Sequence, residues 1–186
     1  ALARAERLEA ELQAARSGTP RAKKTTSRPH TPQAPARRIP LLVPKGRFED
    51  DPDTLSEWLS APGVMLLVDG YNVTKAEGGF GELALELQRD RLVEGVSALQ
   101  LKTKAGATIV FDGSIVPPGI GRPRKRRVKV VYSSQDETAD DHIVALLEEL
   151  PPLPVVVATN DKELRGRVRG LGATVATSGQ LLALLR

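Results

Sequence analysis

From Val64 to the end of the chain, apolar and polar positions alternate between two patterns. The runs VMLLV (64–68), ATIVF (107–111), VKVVY (128–132), VVVAT (155–159) and ATVAT (173–177) are apolar at nearly every position. Between and after them, residues 83–104, 138–150, 161–170 and 178–185 repeat their apolar positions at helical spacing. Short valine- and isoleucine-rich runs of the first kind are what a strand covered on both faces looks like. The alternation predicts an α/β domain with a central, mostly parallel sheet flanked by helices. In such sheets, ligands gather outside the carboxyl ends of the strands, where the strand order reverses.

Three segments precede this domain. Over residues 1–17, Ala1, Ala5, Leu8, Leu12 and Ala15 keep a four-three spacing, the seam of a coiled-coil end. Self-association through residues 1–16 is therefore expected, although two alanine-rich heptads make only a marginal helix by themselves. Residues 18–47 are rich in proline and carry Arg21, Lys23, Lys24, Arg28, Arg37, Arg38, Lys45 and Arg47 without one acid. Such a tract reads as a basic, extended linker, either simply solvated or acting as a phosphate-binding arm. Residues 48–63 contain FEDDPDTLSEWL, a short helix with Asp53 or Thr54 at its start and Leu55, Trp58 and Leu59 on the face that packs on the domain.

Charge sharpens this division. The whole chain of 186 residues carries +4, and eight of its bases sit in the linker, so the remainder holds an excess of acids. Cysteine is absent, which rules out disulfides and cysteine-bearing zinc sites and suits a reducing compartment. No apolar run approaches the roughly 20 residues of a membrane helix, and the N-terminal stretch has no signal-peptide core. A cytoplasmic protein without a membrane partner is expected. Ala1 at the start fits either a removed initiator methionine or a piece cut from something longer.

The acids fall at one place. The first strand run is followed by Asp69, the second by Asp112, the third by Glu137, Asp140 and Asp141, and the fourth by Asp161. Each has a local use: Asp-Gly at 69–70 and 112–113 is turn chemistry, Thr138 with Asp141 fits a capping box, and Asp161 fits the first turn of a helix. Together they bring carboxylates from four strands to one sheet edge. Two like charges about 4 Å apart repel by roughly 4 kcal/mol at an effective dielectric near 20, so such a cluster calls for a cation. Hard oxygen donors favour Mg2+ or Mn2+ over zinc. Ions of that kind activate water and offset charge on a phosphodiester under attack.

Further features bear on a nucleic-acid substrate. GRPRKRRVK (121–129) offers Arg122, Arg124, Lys125, Arg126, Arg127 and Lys129 for RNA backbone, or else a solvated loop. Aromatics make up only 3% of the chain, so stacking platforms are scarce, and Tyr71 is the best candidate to stack on a base. His142 neighbours the acids but is expected to point away from Asp140. GGFGELAL (78–85) has glycines without a preceding strand or a full phosphate-loop pattern, which argues against dinucleotide or Walker-type binding.

The motifs LLVDGYN, VFDG, ETADD and VATND, in this order and spacing, resemble the NYN domain of the PIN-like nuclease superfamily, most closely its YacP-like branch of bacterial ribonucleases. The resemblance covers about residues 64–186 and does not reach the helix or linker before them. It implies that Asp69, Asp140 and Asp161 form a metal site for RNA cleavage, with Glu137 and Asp112 on the metal or just behind it. It also implies that Asn72 orients a ligand or the scissile phosphate. The resulting expectation is a Mg2+- or Mn2+-dependent endoribonuclease acting on RNA, with the ribosome as one setting. A catalytically weak RNA-binding or ribosome-associated protein is the alternative, and a structure-specific DNA nuclease shares the same acidic logic.

Overall fold

In the computed structural model, the described residues are 37–113, 128–134 and 136–186. The expected coiled-coil segment, most of the linker, and Arg122, Arg124, Lys125, Arg126 and Arg127 lie outside them. The five apolar runs become five strands: β1 Met65–Asp69, β2 Gly106–Phe111, β3 Lys129–Tyr132, β4 Val155–Ala158 and β5 Thr174–Ala176. All pairings are parallel, in the order β3-β2-β1-β4-β5. From β1 the chain winds outward through β2 to β3, then returns to the other side of β1 for β4 and β5. The order therefore reverses between β1 and β4, the place where such sheets open a crevice.

Helices cover both faces, as the two-sided apolar runs require. On one face lie α1 Pro52–Leu59, α2 Gly70–Thr74, α3 Leu85–Thr103 and α6 Ser178–Leu184. Their Leu55, Trp58, Val73, Leu92, Val96 and Leu181 pack with Leu66 and Val68 of β1 and with Ile109 and Phe111 of β2. On the other face lie α4 Ala139–Glu149 and α5 Lys162–Gly170, whose Ile143, Leu147, Leu164 and Val168 pack on Leu67, Val110, Val155 and Val157. The strand alternation thus settles which face each strand-end residue joins.

Two boundaries differ from expectation. Helix α1 is capped by Asp51, whose side chain accepts from the Asp53 N–H, because Pro52 at the first helical position needs no donor partner and fixes φ for the turn. The turn expected at Asp69-Gly70 is instead the start of α2, a five-residue helix with Asp69 as its N-cap. Gly70 is required there: a Cβ would run into the Phe111 ring and the Val110 carbonyl.

The last part of the stretch read as linker is held against the domain. The Arg38 guanidinium donates to the carbonyls of Leu147, Leu150, Pro151, Leu153 and Leu171 at 2.9–3.2 Å, closing the C-terminal ends of α4 and α5. Leu41 N–H donates to Thr174 Oγ1 at 2.7 Å, and Trp58 Nε1–H donates to the Leu42 carbonyl at 2.8 Å. Gly172 has φ +80°, and a Cβ there would strike the Arg38 carbonyl. Residues 37–47 contain no helix or strand, yet they form a strap with fixed partners.

Candidate active site

Asp69 closes β1 on the face opposite Val68, the side covered by α4 and α5. One strand over, the same alternation carries Thr159 to that face, and its hydroxyl donates to Asp69 Oδ2 at 3.0 Å. Asp69 Oδ1 accepts the Asn72 N–H at 3.4 Å, the cap bond of α2. Asp69 is only 6% exposed. Burial pushes its pKa up to about 6 against the pull of the Thr159 bond, and the fields of Asp140 and Asp161 push the same way.

Asp140 stands in the first turn of α4, half-buried, and its pKa is raised by burial and then by Asp161, with Arg167 acting in the opposite sense. Asp161 is the N-cap of α5, one residue before the helix proper: its Oδ1 accepts from the Glu163 and Leu164 N–H groups at 2.8 and 2.9 Å. The Asp161 N–H in turn donates to Thr159 Oγ1 at 3.0 Å, so one buried threonine holds both acids. Asn72 Oδ1 accepts from the Asn160 N–H and from Ser178 Oγ, both at 2.8 Å. It ties α2 to the β4–α5 turn and to the start of α6.

Asp69, Asn72, Asp140, Asn160 and Asp161 line one cleft of about 600 Å³ at the switch point between β1 and β4. Asp69, Asp112, Asp140 and Asp161 lie on its walls together with Tyr71 and Asn72, so six of the expected site residues meet there. Glu137 is not among its lining residues; it faces His142, whose Nδ1 lies 3.0 Å from Glu137 Oε2. Lys129, in edge strand β3, is exposed and does not line the cleft either.

Tyr71 differs from expectation. It is buried, with its ring set edge-on to Phe111 at 5.1 Å between centroids and its hydroxyl accepting from Arg89 Nη1 at 2.9 Å. It contributes wall to the cleft, and its 6% exposure leaves little ring surface for a base to stack on. Sequence reasoning passed over Thr159, Asn160, Ser178 and Lys75. The strand period alone places Thr159 on the face of Asp69, so that signal was present.

The donor chemistry of the cleft fits a hard divalent cation: four carboxylates, no sulfur, and a buried carboxyl whose pKa is pushed up to about 6 chiefly by burial, with its acidic neighbours adding to the effect. Among the described residues, however, no three histidine, cysteine or acid side chains are gathered tightly enough to hold a metal ion. Asp69 is held by the Thr159 hydroxyl and the Asn72 N–H, and Asp161 Oδ1 by the N–H groups of Glu163 and Leu164. No helix among the described residues is long and apolar enough to cross a membrane.

Fold and site together define a doubly wound parallel α/β domain with an acidic cleft at its topological switch point. Residues 66–186 match the model of the YacP-like NYN domain, and the chain belongs to that family. It is 31% identical over 123 residues to the uncharacterized protein YacP of Bacillus subtilis (strain 168), covering 63% of this chain and 72% of that protein. Two crystal structures of Rae1 (YacP) from Bacillus subtilis are similar. The W164L mutant superposes with TM-score 0.58 at 29% identity, covering 66% of this chain and 74% of the other. A second Rae1 structure gives TM-score 0.54 at 27% identity, covering 65% and 72%. Family membership is consistent with a nuclease, RNA-related role.

Proposed function

We propose that the protein is a divalent-metal-dependent endoribonuclease whose reaction takes place in the cleft between β1 and β4. The observation that carries this reading is the convergence of Asp69, Asp112, Asp140 and Asp161 on one cleft, with Asp69 buried and held near pKa 6 by desolvation and its acidic neighbours. A Mg2+ or Mn2+ ion held by Asp69, Asp140 and Asp161, with Asp112 beside them, would supply charge neutralisation at the phosphate and a more acidic water.

The chain's own residues supply orientation. Thr159 fixes Asp69 Oδ2 and, through the Asp161 N–H, the turn that carries Asp161. Asn72 fixes the Asn160 end of the same turn. Asn72 is thus a positioning residue, acting on the acids through the backbone. Because Asp161 caps α5 with Oδ1 alone, Oδ2 takes no part in the cap.

Cleavage of labelled RNA and DNA of one sequence, with magnesium or manganese and then with excess chelator, tests the proposal. Chelator-sensitive RNA cleavage that is lost in Asp140→Asn is expected. One observation favours the second reading, an RNA-binding protein without turnover: the described residues hold no ready three-ligand group. RNA binding without cleavage under every metal condition would establish that reading instead, and preferential DNA cleavage would establish a DNA nuclease.

A further inference from the structure

Lys75 is the one basic side chain among the described residues that line the acidic cleft. It is exposed, and its Nζ lies 5.1 Å from the centroid of the Tyr71 ring. No carboxylate of the described residues lies within ion-pair distance of it, although four line the same cleft. The ammonium is therefore retained at the rim by an aromatic face. A cation–π contact at an exposed site is weak enough to yield to an anion.

Its backbone is placed with little freedom. Asp69 and Lys75 are the N-cap and C-cap of the same five-residue helix, so their backbones sit at opposite ends of one piece, about 9 Å apart along its axis. The Lys75 N–H donates to the Tyr71 carbonyl at 3.0 Å, and the Phe80 N–H donates to the Thr74 carbonyl at 2.6 Å, which fixes the exit of the helix. The Tyr71 ring that holds the ammonium is itself locked by Phe111 and Arg89. Among the described residues, a strand entering the cleft meets negative charge at its floor and one positive charge, Lys75, at its rim.

We propose that Lys75 is a positioning residue that binds a phosphate of the RNA strand flanking the scissile one, so that the strand is drawn past the acids instead of being repelled by them. This rests on the nuclease reading above. Because the contact is to a phosphate that does not react, it is made equally before and during the chemical step. Its loss weakens binding without slowing the saturated reaction.

The test compares wild type with Lys75→Met, which keeps the apolar stem, Lys75→Gln as a second neutral variant, and Lys75→Arg, which keeps the charge. Binding of a short labelled single-stranded RNA is followed by anisotropy across a salt series, and cleavage of the same RNA is followed with manganese. The neutral variants are expected to bind roughly 3–10-fold more weakly at moderate salt and to lose about 0.7 from the salt slope, one phosphate contact to a single strand. KM should rise by a similar factor with kcat changed less than about threefold, melting temperature should stay the same, and Lys75→Arg should restore both slope and KM. Unchanged affinity and salt slope in both neutral variants would overturn the proposal, as would failure of Arg to restore them. If wild type binds RNA with this lysine dependence but cleaves nothing, the nuclease reading falls and the phosphate contact stands. If wild type binds no single-stranded RNA, the contact is refuted as well.

Discussion

Replacing Asp69 by asparagine should make the metal-free protein more stable while removing its activity. In the folded chain the carboxyl titrates near pH 6, against 3.8 for the unperturbed group, chiefly because burial disfavours its charge. The folded state therefore keeps a proton that the unfolded chain has already lost between about pH 4 and pH 6, and stability falls as pH rises through that window, then levels off. The difference corresponds to roughly 3 kcal/mol above pH 6. Asparagine has a single oxygen, which can accept from the Thr159 hydroxyl while the long 3.4 Å bond from the Asn72 N–H is lost, so a net gain of roughly 1–3 kcal/mol is expected. For a domain of this size that is a rise of roughly 3–10 °C in melting temperature at about pH 8, shrinking towards zero near pH 4. Calorimetry of both proteins in chelator across this range is the assay. Millimolar manganese should then narrow the gap, because it stabilises only the protein that still binds it. An Asp69→Asn protein that is less stable than wild type at about pH 8, or a gap that does not change with pH, would refute the electrostatic account of the site.

Asp140→Asn should reduce metal-dependent RNA cleavage by at least about 100-fold, while its half-buried position keeps circular dichroism and melting temperature close to wild type; retained activity would remove Asp140 from the reaction. Arg38→Ala should lower stability by about 1–3 kcal/mol in urea unfolding, because five carbonyls lose their common donor, and Arg38→Lys should recover only part of this since it lacks the planar fork. Asn72→Ala should lower kcat more than it changes RNA affinity, since it frees the turn carrying Asp161; single-turnover kinetics would show a rate equal to wild type if the residue only packs.

The sheet was readable because both of its faces are covered: five apolar runs needed no partner information to be recognised, and each lies within a residue or two of its strand. The acids were readable because they follow those runs. Helix α2 was not, since five residues beginning with glycine carry no apolar period, and Asp-Gly looks the same at a turn as at an N-cap. Tyr71 was misjudged for a related reason: what buries it is Phe111 of β2 and Arg89 of α3, neither of which is near it in the chain. Arg38 looked like one more linker cation. Its role comes from carbonyls left over at the ends of α4 and α5, more than 100 residues away, and a one-dimensional pattern holds no trace of them. The strap also changes where a truncation can begin. Removal of residues 1–47 would take Arg38 and Leu41 with it and so would mix linker effects with unfolding.

The acids of the cleft are also parts of the scaffold, and this decides where its electrostatic cost falls. Asp161 receives two short N–H bonds from a nine-residue helix, and the partial positive charge of that helix end favours its anion. Asp69 is deeper, capped by one long bond of 3.4 Å from a helix of five residues, and its main support is a single threonine hydroxyl. Backbone donors therefore compensate Asp161 far better than Asp69. The charge that β1 buries at the switch point is the one that the protein alone stabilises least, and so the one that a cation would stabilise most. Asp161 retains an oxygen outside its cap that such a cation would find. The same reasoning makes Thr159 the residue on which the arrangement depends. Thr159→Val keeps the shape but removes the hydroxyl that serves both acids, and should lower stability by about 1–3 kcal/mol above pH 6, where Asp69 is charged, and by less near pH 4. A stability loss that is the same at both pH values would mean that the hydroxyl supports the turn and not the buried charge.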